Sequence, residues 1–220
     1  MNKAGSKKSL RSFVKGSFGR VFTKPGPLGL GIVSVIYMLA VMNSESSIAA
    51  MEDDAAAQQA VVFDMLSFSP DQSLWSNKAR VKFEKVKNDG TAPLAVIKIA
   101  RLNIEGPIFD GTDKVTLDRG IGLVDGTAMP GEVGNMALSA HRDSFFRPLK
   151  DVVVGDRIEL RTQNGIQDFE VSEITIVDSQ DISVLDPTDT AVLTLITCYP
   201  FYYVGYAPDR FIVRAIPVES

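Results

Sequence analysis

From Leu94 onward the apolar positions fall into short β-like runs separated by turn signals. Leu94 to Ile104 alternates and is rich in β-branched residues, Gly106-Pro107 interrupts it, and Ile108-Phe109 leads into Asp110-Gly111. Further turn signals stand at Asp125-Gly126, Pro130-Gly131, Gly155-Asp156 and Asn164-Gly165. The last separates Arg157–Arg161 from Gln167–Val171, two alternating runs that predict a hairpin. Ala191 to Thr197 and Arg210 to Val218 supply two more strands, and only a helical turn near Phe145 to Leu149 interrupts the β pattern. About eight short strands in this span predict a mainly β domain, closed or nearly closed into a barrel, over residues 94–220.

The first 93 residues read differently. Leu28 to Met42 is an unbroken uncharged apolar run, which with its interfacial neighbours makes residues 28–44 a candidate membrane anchor. The competing reading is a cleaved signal peptide, since Ser47-Ile48-Ala49 resembles a small-x-small cleavage site. Ile48 to Phe68 reads as an Ala-rich helix ending at Ser69-Pro70. From there to Pro93, Trp75 and the charged run Lys78 to Asp89 show no sustained period. Residues 45–93 are therefore expected to be a helical and irregular linker packed loosely on the barrel, with the charged run as solvated surface.

Charge sharpens the topology. Seven of the 23 Lys and Arg fall within residues 1–27, which hold no acid, leaving 16 against all 27 Asp and Glu in the remainder. The positive-inside rule puts the basic segment 1–27 in the cytoplasm and the barrel outside, on the far side of a single-pass cytoplasmic membrane anchor. An acidic body argues against nucleic acid as a partner. At 220 residues and 45% hydrophobic composition, the chain supports one substantial core and an appendage.

The candidate chemistry rests on single residues. The only cysteine, Cys198, ends the apolar run Leu193–Thr197 two places before Pro200, and the only histidine, His141, ends the similar run Asn135–Ala140. Arg210 opens the final strand. A thiol attacks as its thiolate and needs a base or cation nearby, which His141 and Arg210 can supply, and a guanidinium can also hold an oxyanion. The bland alternative is an inert core thiol and a satisfied histidine, because one chain does not reveal proximity.

At this point the motifs resemble those of the sortases, membrane-anchored cysteine transpeptidases of bacterial surfaces. Thr194-Leu195-Ile196-Thr197-Cys198 matches their TLxTC signature. Pro130-Gly131-Glu132-x-Gly134-Asn135, Ala140-His141-Arg142, Gly155-Asp156, Cys198-Tyr199-Pro200 and Ala207-Pro208-x-Arg210-Phe211-Ile212-Val213 follow in the family's order. The likeness covers about Leu94 to Val218 and is nearest to class D. Ser139 before Ala140-His141, where many members have Gly, and Tyr206, where small residues are common, depart from the pattern. The resemblance implies the sortase-type eight-stranded closed barrel, with Cys198, His141 and Arg210 catalytic. It implies cleavage of an LPxTG-like C-terminal sorting signal on a surface protein, then transfer to an amine acceptor, a peptidoglycan precursor or another envelope amine. Thr197, Tyr199, Tyr203 and Tyr206 are then expected along the substrate groove, with strand filling or packing as the other reading of each. No cofactor or metal is expected: some sortases bind calcium, but Asp178, Asp181, Asp186 and Asp189 lack calcium-loop spacing. Two other classes remain open, a non-catalytic extracytoplasmic binding barrel and another thiol acyltransferase. Against the L,D-transpeptidase type of the latter, His141 precedes Cys198 by 57 positions rather than lying just before it.

Overall fold

A computed structural model of the chain describes residues 69–87, 90–203 and 205–218. The alternating runs form eight strands: β1 (Ala95–Ile99), β2 (Ile104–Asp110), β3 (Ile121–Leu123), β4 (Asn135–Ser139), β5 (Arg157–Thr162), β6 (Gly165–Asp178), β7 (Val192–Tyr199) and β8 (Asp209–Pro217). They close into a barrel in the order β1-β2-β3-β4-β7-β8-β6-β5, with β5 pairing back onto β1. Closure leaves no free sheet edge. The hairpin expected at Asn164-Gly165 joins β5 to β6, and its alternation sends Ile158, Leu160 and Thr162 inward.

Two of the pairings are parallel, β2 with β3 and β4 with β7. A parallel pair cannot be joined by a tight turn, so each needs a crossover. Helix α2 (Lys114–Arg119) makes the first, capped by Asp113, whose carboxylate accepts from the Val115 and Thr116 amides. β5 and β6, on the opposite wall, lie within the second. The result brings β4 beside β7 although more than fifty residues separate them in sequence.

The core is aliphatic. Ile97, Ile99, Ile108, Ile121, Leu138, Ile158, Leu160, Leu193 and Leu195 are fully buried, and Phe146 and Leu149 from a 3-10 turn (Arg147–Asp151) and its approach plug one end. Gly106 on β2 is required by close approach, because a Cβ there would sit 2.8 Å from the Phe145 ring. Phe145 can therefore lie against the strand backbone.

One expectation is corrected. The stretch read as a loosely packed linker contains helix α1 (Asn77–Val86), and Trp75, Ala79 and Phe83 belong to the same buried cluster as the barrel interior. Ala79 and Phe83, four residues apart, share one face of the helix, and Trp75, just ahead of the cap, packs beside them. The Trp75 ring meets Phe83 at 5.3 Å and Phe145 at 4.6 Å, edge-on in both cases. Ser76 caps the helix by accepting from the Ala79 amide and donates its hydroxyl to Asp143 at 2.8 Å, while its amide donates to the Asp143 carbonyl. The helix start is thereby tied to the segment that follows His141.

Among the described residues no helix is long and apolar enough to cross a membrane. The expected anchor at 28–44, its basic flank and the Ala-rich helix after it lie outside the described residues.

Candidate active site

The barrel register assembles the site. β4 and β7 run in parallel with Asn135 opposite Val192 and Ser139 opposite Ile196, so the same offset carried two residues further sets His141 level with Cys198. The Ala140 amide donates to the Ile196 carbonyl, and the buried Thr197 hydroxyl donates to the Ala140 carbonyl at 2.8 Å, holding the two strand ends together just before the reactive groups. On the other side of β7, Cys198 is the direct antiparallel partner of Arg210 on β8. Cysteine, histidine and arginine thus lie side by side at one barrel rim. β7 ends at Tyr199, where Pro200 has no N–H to continue the ladder.

Two clefts meet there. One, about 570 Å³, is lined by Lys78, Lys82, Arg142, Arg147, Phe201, Tyr202 and Tyr203; the other, about 360 Å³, by Leu117, Ile182, Val184, Leu185, Ile196 and Arg210. His141 and Cys198 line both. A third cavity, about 250 Å³, lies at the starts of β4 and β7 among Met129, Met136, Phe169 and Pro217 and touches none of the three residues.

The loops around the site are fastened by buried polar groups. Asn135 donates its amide to the Val184 and Asp186 carbonyls and accepts from the Thr194 hydroxyl at 2.7 Å, so the loop between β6 and β7 is held against the barrel. Such a buried network contributes only because every member is paired. Asp178 and Asp181, tempting as cation ligands, instead accept from the amides of Gln180 and Ser183 in the turns of that loop. Among the described residues no group of three or more His, Cys, Asp or Glu side chains is placed to hold a metal ion. On the other wall Arg142 donates to the carbonyls of Pro200, Tyr203 and Gly205, and Arg147 donates to that of Phe201 while lying 4.0 Å over the Tyr202 ring.

Electrostatics centre on His141, which is half-buried. Burial and the Lys82 ammonium lower its pKa below the usual imidazole value, with Asp143 and Asp118 opposing them. Its Nε2 lies 3.5 Å from Asp118 Oδ1, beyond ordinary hydrogen-bond length. Arg210 anchors Nη1 on the carbonyls of Asp209 and Ala207. A thiol, an imidazole and a guanidinium around open space suit nucleophilic attack on an acyl carbon, with proton transfer and oxyanion binding at hand.

The model of the sortase domain matches residues 97–218, more than half of the chain. The chain belongs to the sortase family. It is 37% identical over 146 residues to sortase D of Bacillus subtilis (strain 168), covering 66% of this chain and 70% of that protein. The sortase D5 transpeptidase of Clostridium perfringens has a similar structure, with a TM-score of 0.55 at 26% identity over 74% of this chain and 99% of that one. Sortase A of Corynebacterium diphtheriae gives a TM-score of 0.55 at 27% identity, covering 78% and 86%. Together they make this a class D sortase, a cysteine transpeptidase by family, in the closed barrel expected of it.

The expected groove residues part company. Tyr203 lines the larger cleft with His141 and Cys198. Tyr199 packs between Phe211 and Phe201, and Tyr206 is exposed and lines neither cleft. The Thr197 side chain is buried and its hydroxyl hydrogen is spent on the Ala140 carbonyl, so in this structure it is a strut beneath the site. Sequence reasoning missed Asp118, Lys82, Arg142 and Arg147. Of these, Arg142 carried the clearest signal, since it adjoins the only histidine in the chain.

Proposed function

We propose that this sortase cleaves an LPxTG-like C-terminal sorting signal and joins the severed protein to an envelope amine, with Cys198, His141 and Arg210 as its catalytic residues. The observation that carries the reading is the meeting of two clefts at Cys198 and His141, with Arg210 in only one of them. The Arg210 cleft, with Ile182, Val184, Leu185 and Ile196, suits the apolar part of the signal and leaves the other, lined by Lys78, Lys82, Arg142 and Arg147, for an acceptor that carries anionic groups beside its amine.

The Cys198 thiolate attacks the carbonyl carbon of the signal's threonine. Nη1 of Arg210 is already anchored, which leaves its Nε and Nη2 hydrogens for the substrate backbone and the oxyanion. As the C–N bond breaks, His141 gives its proton to the leaving amine, and a thioester remains on Cys198. The acceptor amine then attacks the thioester, passes a proton to His141 and releases the thiolate. Both ionised partners, thiolate and imidazolium, are needed together, which makes the dependence of kcat/KM on pH bell-shaped. The substrates are surface proteins with the signal, and the acceptor is a peptidoglycan precursor or another envelope amine.

The apolar run in residues 28–44, with seven basic residues before it, supports a single-pass anchor with the barrel outside the cytoplasmic membrane. The test is a library of fluorogenic peptides varied around an LPxTG core, offered to the purified chain with and without an added amine. Cleavage at the Thr–Gly bond that quickens with amine is expected. A library left intact while the protein remains folded overturns the reading.

A further inference from the structure

Asp118 is a carboxylate that the proposed chemistry does not use, yet it sits beneath His141. Its side chain is 5% exposed, and three groups from three elements converge on it. Lys82 of α1 donates to Oδ1 at 2.8 Å, Lys114 of α2 donates to Oδ2 at 3.0 Å, and His141 Nε2 approaches Oδ1 at 3.5 Å. Burial pushes the Asp118 carboxyl up, but the lysine hydrogen bonds outweigh it and hold the group below its ordinary value. The carboxylate is therefore ionised at neutral pH and shared. Lys82 and His141 face the same oxygen.

We propose that Asp118 is a positioning residue for His141, and that Lys82, by occupying the shared oxygen, sets how firmly the carboxylate holds the imidazolium. With Nε2 turned toward Asp118, Nδ1 is the nitrogen left for proton exchange with the reacting groups. The imidazole Nε2 lacks a hydrogen-bond partner in the structure, as expected of a ring whose carboxylate is already engaged. α1 supplies the competing charge, so its docking reaches the active site electrostatically as well as through packing.

The consequence is a pair of opposite signs. The charged and titratable groups facing His141 are Lys78 and Lys82 from α1, Lys114 and Asp118 from α2, Arg142, Asp143 and Arg147 from its own segment, Asp181 from the loop between β6 and β7, Cys198 from β7, Tyr202 and Tyr203 from the segment after it, and Arg210 from β8. Asp118→Asn removes the carboxylate and leaves both lysines, so the imidazolium is destabilised and His141 must titrate at lower pH. Lys82→Gln frees Oδ1, so His141 must titrate at higher pH. A role as mere structural glue would move both variants the same way.

The catalytic half of this rests on the transpeptidase reading; the titration half does not. His141 is the only histidine, so its ring Cε1–H gives one NMR resonance to follow against pH in the full chain, in a Cys198→Ala background that removes the thiol's own titration. The expected result is a lower midpoint in Asp118→Asn and a higher one in Lys82→Gln. In the Cys198 enzyme, the acid limb of kcat/KM moves likewise, and Asp118→Asn loses about tenfold at neutral pH, the scale of removing one ion-pair partner. Should Asp118→Asn fail to fold, Lys114→Gln takes its place and must raise the midpoint as Lys82→Gln does. Midpoints that stay put, or that move together in Asp118→Asn and Lys82→Gln, overturn the proposal. Opposite shifts without any peptide cleavage by the wild type would sustain Asp118's role and sink the function instead.

Discussion

Replacing Phe83 by alanine tests whether α1 is part of the working domain. Phe83 is 5% exposed and meets Trp75 at 5.3 Å and Phe145 at 5.9 Å, both edge-on. Truncating a buried phenylalanine costs about 3–5 kcal/mol, of which such aromatic pairs account for about 0.5–1.5 kcal/mol each. A ten-residue helix does not persist in water without docking. Trp75 and Ala79 lose part of their own packing once the Phe83 ring is gone, and the polar ties of α1, two hydrogen bonds between Ser76 and Asp143 and one ion pair from Lys82 to Asp118, are worth about 1 kcal/mol apiece. Undocking α1 therefore costs the variant less than keeping a cavity, and the barrel outlives the helix. Trp75 is the only tryptophan and packs on Phe83 and Phe145, so its fluorescence reports the docking of α1, while far-ultraviolet circular dichroism follows the β-sheet. In urea the two signals should coincide for the wild type, whereas in Phe83→Ala fluorescence should change well before the sheet melts. The His141 titration midpoint should rise in step, since Lys82, the charge that lowers it, leaves with the helix. A Phe83→Ala protein with wild-type emission and coincident, unshifted transitions would refute the reasoning.

Two further outcomes follow from the site. Thr197→Val removes the hydroxyl held on Ala140 and leaves that carbonyl short of a partner, so stability should fall by about 1–3 kcal/mol in chemical denaturation and kcat should fall, with Thr197→Ser restoring both. Arg210→Ala should lower kcat/KM by at least about a hundredfold in the peptide assay with an unchanged melting temperature, and Arg210→Lys should recover little, because an ammonium lacks the planar fork of donors. Near-normal cleavage by Arg210→Ala would remove it from the site.

His141, Cys198 and Arg210 were readable because each terminates or opens a run of strand-forming residues, and strand ends at a barrel rim expose their side chains. The Asn164-Gly165 hairpin was readable from turn chemistry alone. What pairs β4 with β7 was not, since a parallel pairing across a long crossover leaves no local mark, and that pairing is what sets His141 beside Cys198. α1 escaped because Trp75, Ala79 and Phe83 are three apolar positions in a run dominated by charge, too narrow a stripe to separate from solvated surface. Asp118 and Lys82 escaped for a related reason: in sequence a carboxylate or a lysine on a short helix reads as solvent-facing, and only packing of α1 over α2 turns the two inward. Thr197 carries two readings in sequence, groove residue and strand filler, because a hydroxyl beside the nucleophile looks available until it is seen donating to the Ala140 carbonyl.

The central claim is that Cys198 carries the severed protein as a thioester. Intact-mass spectrometry of the chain, acid-quenched during turnover of a cleavable sorting peptide without acceptor amine, tests it directly. The account predicts a species heavier by the acyl portion of the peptide, located on Cys198, discharged by hydroxylamine and missing from Cys198→Ala. Cleavage that proceeds with no adduct, or with the acyl group on another residue, would contradict it.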